Sequence, residues 1–146
     1  MYTDVLFVCI DFENGGQFKS HAAAGKFGNR KLHAQAGIFI LDSRNFRCSS
    51  PDEVLETYNF GFGGSPSHRR NVDRRFFFGQ TIWLDQIADL LTSLESLLDH
   101  SRDIVLAGHG LDGDCEVLRS FGFDFGSSIV GYIDTLGPVR SEVRYF

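Results

Sequence analysis

The chain has 146 residues, 42% of them hydrophobic, and a formal net charge of −5, which suits one compact domain spanning residues 1–146 with its own core. No apolar run approaches the roughly 20 residues of a membrane helix, and the N-terminus lacks the basic start of a signal peptide. The three cysteines fit neither a disulfide framework nor a zinc site, so the expected setting is a reducing one, intracellular, cytoplasmic or nuclear, with no membrane.

The acidic total excludes a general polycation, but the positive charge is clumped. Lys19, Lys26, Arg30 and Lys31 lie in a stretch, 14–41, without Asp or Glu. A second cluster, 68–75, sets Arg69, Arg70, Arg74 and Arg75 against Asp73. Loops of this kind bind phosphates locally even on an acidic protein.

In chain order, Val5–Glu13 reads as a strand apolar on both faces, which belongs in the middle of a covered sheet. Alternation places Asp11 and Glu13 on one face with Val5, Phe7 and Cys9, and Leu6, Val8, Ile10 and Phe12 on the other. Two carboxylates about 6–7 Å apart along the strand can reach one divalent cation, and oxygen-only ligation suits Mg²⁺ or Mn²⁺. The plainer alternative is that the acids mark where a buried strand meets water.

Residues 14–33, rich in Gly, Ala and Lys, read as a long loop. Ala36–Asp42 reads as a second strand antiparallel to the first, and Val54–Phe62 as a third. Gly63–Arg75 reads as a second loop. Ile87, Leu90, Leu91, Leu94, Leu97 and Leu98 then fall on one helical stripe, in a helix expected over about Thr81–Asp99. Asp103–Gly108 is a short strand, Asp112–Phe121 a helix stopped by Gly122, and Ile129–Asp134 a last strand. The order β-β-β-α-β-α-β implies an α/β domain with a mixed sheet and helices on its faces.

On the helix after Gly110, Asp114 shares the inward stripe of Val117, Leu118 and Phe121, whereas Asp112 is better placed as an N-cap. An inward acid needs a partner, and the cation site of Asp11 and Glu13 is one. A capping role is the other. Trp83 and Phe76–Phe78 read as packing ahead of a core helix, with a stacking platform as the alternative. His109 reads as structural, and His21 and His33 lack partners at metal-ligand spacing.

Asp11-Phe-Glu13 at the end of the first strand resembles the first motif of the DEDD (DnaQ-like) 3′–5′ exonucleases, which have an RNase H-like fold. Ala36-Gly-Ile-Phe-Ile-Leu-Asp-Ser-Arg44 is similar to that family's second strand. Gly108-His-Gly-Leu-Asp-Gly-Asp114 resembles its second motif, and Ile133-Asp-Thr-Leu136 the strand that follows. The wording is closest to a fungal RNase H-like branch linked to RNA export and silencing.

The resemblance, over about residues 4–137, implies two-metal phosphodiester hydrolysis at RNA or DNA ends. Asp11 would bridge two ions, Glu13 would bind the ion carrying the attacking water, and Asp114 would support the second. The basic residues would hold a single strand's backbone. The family's third motif, a base His or Tyr and a last Asp on a C-terminal helix, has no counterpart: 137–146 contain no His or Asp, and Glu142 is the only carboxylate. The expectation is therefore a nuclease-like domain without its C-terminal helix. Its alternative is a catalytically incomplete pseudo-exonuclease that binds nucleic acid or protein. A third alternative is that a homodimer mate or protein partner completes the site and covers the faces left by the missing C-terminal helix.

Overall fold

A computed structural model describes residues 4–23, 32–46, 50, 54–63 and 65–136, and the statements below concern these. The alternation of Val5–Glu13 builds the centre of the molecule as strand β1. Its neighbours are β2 (Ala34–Asp42), antiparallel to it, and β5 (Asp103–Gly108), parallel to it. Beyond β2 lie β3 (Leu55–Phe62) and then β4 (Thr81–Leu84), and beyond β5 lies β6 (Ile129–Asp134). The six strands take the order β4-β3-β2-β1-β5-β6. β2 alone runs against the others, since β3–β4 and β5–β6 pair in parallel.

Leu6, Val8, Ile10 and Phe12 all point into one core with Ile38, Ile40, Phe60, Ile104 and Leu106. Three helices cover that face: α1 (Gly15–Ala23), α3 (Ile87–Leu97) and α4 (Leu111–Ser120). Phe18 of α1 is fully buried and meets Phe12, Phe62 and Phe121 edge-on, with centroids 5.2–5.6 Å apart, the geometry aromatic quadrupoles favour. A fourth helix, α2 (Pro66–Arg75), belongs to the opposite face, where His68 and Arg69 meet the Trp83 ring. No helix among the described residues is long and apolar enough to cross a membrane.

Three expectations change. The stretch 14–33 is not all loop, because α1 occupies Gly15–Ala23. Its only buried residue is Phe18, so it leaves no apolar period to read. The 63–75 loop is largely α2, begun by Ser65, whose Oγ accepts from His68 N, and by Pro66 in the first turn, a strong helix-start pair. The helix expected from Thr81 starts at Ile87, since Thr81–Leu84 extend as β4 along β3. Ile87, Leu90 and Leu94 do form its buried stripe.

At the end of the sheet where β1 and β5 begin, Arg102 is only 7% exposed. Its Nε donates to Asp4 Oδ1 (2.7 Å), and Nη1 and Nη2 donate to the two carboxylate oxygens of Asp42 (2.9 and 2.8 Å). One guanidinium thus ties the residues that flank β1, β2 and β5. The Arg102 hydrogen bonds, with those of Arg44, hold the Asp42 carboxyl far below the usual carboxylate range. Because the folded value is depressed, this stabilisation is complete above the ordinary carboxylate pKa of about 3.9 and is lost as pH falls through the lower folded value. Arg102→Met should cost about 1.5–3 kcal/mol in urea unfolding at neutral pH, the scale of a hydrogen bond to a charged group, because Asp42 keeps only the exposed Arg44 as a partner. Asp42→Asn should flatten the fall in urea midpoint below about pH 4.

Candidate active site

Parallel pairing between β1 and β5 ends at Cys9 opposite Ala107, while β1 continues to Glu13 against β2 alone. On the β5 side, the end of β1 is met instead by α4. The chain turns from β5 into α4 through Gly108-His109-Gly110. Gly110 has φ 79°, a left-handed conformation that favours glycine. At Gly108 a Cβ would stand 3.0 Å from the Leu111 side chain, so the turn also needs close approach.

The first turn of α4 then lies against β1, and Asp114 Oδ1 accepts from Phe12 N at 3.0 Å. The peptide N–H that answers Asp114 lies between Asp11 and Glu13. Asp11 and Glu13 are exposed at the strand end and Asp114 is half-buried, with Asp11 near enough to Asp114 for its charge to be felt there. Asp112, expected as N-cap, lies inside the first turn; Gly110 is the N-cap. The capping acid is Asp134 of β6, whose two carboxylate oxygens accept from Gly110 N and Leu111 N (2.8 and 3.0 Å).

The electrostatics are those of crowded negative charge. Burial chiefly pushes the Asp114 carboxyl above its ordinary value, against the Phe12 N–H bond that lowers it, and the charges of Asp11 and Asp134 raise it further. Burial, then Asp11 and Asp114, likewise push the Cys9 thiol up. Among the described residues no ion pair answers Asp11, Glu13 or Asp114. Equally, no three His, Cys, Asp or Glu groups among the described residues gather closely enough to hold a metal ion by themselves. The donors nevertheless fit Mg²⁺ in kind, since that ion retains waters and substrate phosphate and takes only one or two protein carboxylates.

The basic residues separate into distinct places. Lys19 on α1 donates to Glu116 of α4 at 2.8 Å, an exposed pair of small energetic weight. Lys26, Arg30 and Lys31 lie outside the described residues. Arg69 sits over Trp83 at 4.7 Å from the ring centroid and donates from Nε to Gly63 O. Arg70, Arg74 and Arg75 are exposed on α2.

An open cleft of about 430 Å³ lies over α1, lined by Asn14, Gly16, Gln17, Ser20 and His21. Asn14, the residue after Glu13, takes a left-handed φ of 63°. It turns β1 into α1 and donates from Nδ2 to His33 O. At Gly15 a Cβ would stand 3.1 Å from Val117 Cγ2, so the start of α1 packs closely on α4.

His109, read from sequence as structural, is exposed. The Thr135 hydroxyl donates to Gly108 O (3.1 Å) and lies within hydrogen-bond distance of His109 Nδ1 (3.0 Å), the roles in that second contact following the imidazole tautomer. The signal for this lay in Thr135, a hydroxyl next to a strand end, which is informative only once β5 and β6 are known to be neighbours.

No known protein family matches the chain, and no curated protein matches it.

Replacing Asp114 separates its two roles. Asp114→Asn keeps an oxygen for Phe12 N and should leave thermal stability nearly unchanged. Asp114→Ala leaves that N–H without a partner and should cost about 1–3 kcal/mol, read by chemical denaturation.

Proposed function

We propose that this chain is a metal-dependent nuclease-like domain of RNase H-like architecture, acting on the 3′ ends of single-stranded RNA or DNA. The observation that carries the reading is the bond from Phe12 N to Asp114 Oδ1, which brings the helix carboxylate to the residue between Asp11 and Glu13. The sheet supports it: a three-strand antiparallel meander is followed by helix-linked parallel strands on the far side of β1.

Asp11, Glu13 and Asp114 would hold Mg²⁺ or Mn²⁺, relieving the repulsion that Asp11 exerts on Asp114. When bound, the metal would supply charge stabilisation for the attacking and leaving oxygens of phosphodiester displacement. The chain's own part is orientation. Phe12 N–H fixes one oxygen of Asp114, and Asp134 holds the turn that delivers α4 to the strand end.

One observation favours a second reading, a binding domain that does not cleave: the described acids do not gather into a ready-made metal cage. The deciding experiment is incubation of single-stranded RNA and DNA with Mn²⁺ or Mg²⁺, beside Asp11→Asn and an EDTA control. The expected outcome is stepwise 3′ shortening, slowed about 10²–10³-fold by the substitution, the scale of losing one group that stabilises developing charge, and abolished by EDTA. Substrate that is bound but left intact would support the second reading instead. Millimolar Mn²⁺ should also raise the melting temperature of the wild type through binding linkage, and should not raise that of Asp11→Asn/Glu13→Gln.

A further inference from the structure

Alternation along β1 puts Cys9 and Asp11 on the sheet face opposite the main core, beside Phe39 and Gly37 of β2. The Phe39 ring leans over Gly37, with Cε2 3.8 Å from where a Cβ would stand. Phe78 meets Phe39 edge-on with centroids 6.1 Å apart. The Phe78 carbonyl accepts from Thr57 Oγ1 at 2.8 Å, which pins the segment after α2 to the sheet. An aromatic path thus leads across β2 from the carboxylates toward α2.

The far end of that path is open. Phe77 is 85% exposed and Phe78 65% exposed, so the expectation that these rings serve as packing is overturned for this pair. Exposed apolar surface next to a charged element marks an interaction site. The charged element is α2. It is anchored through Val72 and Arg69, while Arg70 and Arg74, at i and i+4, share an exposed stripe. Neither makes an ion pair or hydrogen bond among the described residues.

We propose that Arg70, Arg74, Phe77 and Phe78 form a docking ridge for single-stranded nucleic acid, leading over Phe39 to Asp11. Its direction rests on the nuclease reading; its ligand does not. Bases stack on exposed rings whatever their sequence, and arginines answer phosphates. An acidic protein that concentrates four arginines against one aspartate on a single helix matches a polyanion. A second copy docked through the same ridge would bring the Arg70/Arg74 stripes of both copies together, and like charges oppose that pairing.

The test is fluorescence anisotropy of labelled oligouridine and oligothymidine of about 12 nucleotides, a length within the range of single-strand binding sites. It is run in the Asp11→Asn background so that cleavage does not consume the probe. Phe77→Ala and Phe78→Ala should each weaken binding about 5- to 150-fold, the range for losing one stacked base. Arg70→Ala/Arg74→Ala should weaken it and reduce the log–log salt slope by about 1.4, at about 0.7 per phosphate on a single strand. All four side chains are exposed, and circular dichroism verifies folding. Binding unchanged by both sets of variants overturns the ridge, and wild-type cleavage then leaves the nuclease reading standing. Ridge-dependent binding with no cleavage by the wild type supports the ridge and overturns the nuclease reading. Absence of binding overturns the ridge, as does an effect of the phenylalanine variants confined to a protein dimer in sedimentation.

Discussion

Where β1 outruns β5, its backbone N–H groups on that side lose their strand partner, and a buried peptide N–H without an acceptor is costly. The chain answers at Phe12 with a carboxylate delivered by the first turn of α4 rather than with another strand. The satisfaction of one peptide group therefore decides where α4 begins, why Gly108 and Gly110 stand in the turn, and why Asp134 must cap it. It also gathers negative charge at one point. A neutral acceptor such as Asn would have met the backbone requirement without raising any carboxyl, so the acid goes beyond what folding asks.

The two ends of the sheet make a comparison of like residues in unlike company. At one end Asp4 and Asp42 share the guanidinium of Arg102, and Asp42 is held strongly ionised. At the other, Asp11, Glu13 and Asp114 have no cationic side chain among the described residues, and Asp114 is pushed the opposite way. Acids that serve the fold are paired from within. Acids without such a partner are what the proposed metal site would draw on.

How much of this was legible in the sequence depended on how many apolar residues each element buries. β1, β5 and β6 were read to their ends because they carry dense apolar runs, and α4 to within a residue or two. α1 and α2 were missed because each buries one side chain, Phe18 and Val72, and a single point has no period. β4 was missed because its four residues abut a strong helical stripe that absorbed them. Asp11, Glu13 and Asp114 were singled out through motif and helix-face reasoning, and the structure adds the bond from Phe12 N to Asp114. The Asp134 cap could not be assigned to α4, since it depends on β6 lying beside β5, a tertiary fact. The exposure of Phe77 and Phe78 was likewise invisible, because an aromatic next to a core helix looks the same in sequence whether it turns in or out.

The way α1 is attached has a consequence for motion: it buries one ring, Phe18, and is otherwise held by the approach of Gly15 to Val117 and the bond from His33 N to Gln17 Oε1. Burying a Phe side chain contributes about 1.5–3 kcal/mol, and the exposed Lys19–Glu116 pair adds little. Lifting α1 off the sheet therefore breaks the edge-on cluster around Phe18, the Gly15–Val117 approach and the Gln17–His33 bond, whereas opening β1 would dismantle the centre of the sheet. Local opening of this kind draws on the low end of a protein's stability spectrum. The cleft lined by Asn14, Gly16, Gln17, Ser20 and His21 is therefore built on the more loosely held of the two elements, and it can change shape while the strand bearing the acids, paired on both sides, keeps its register.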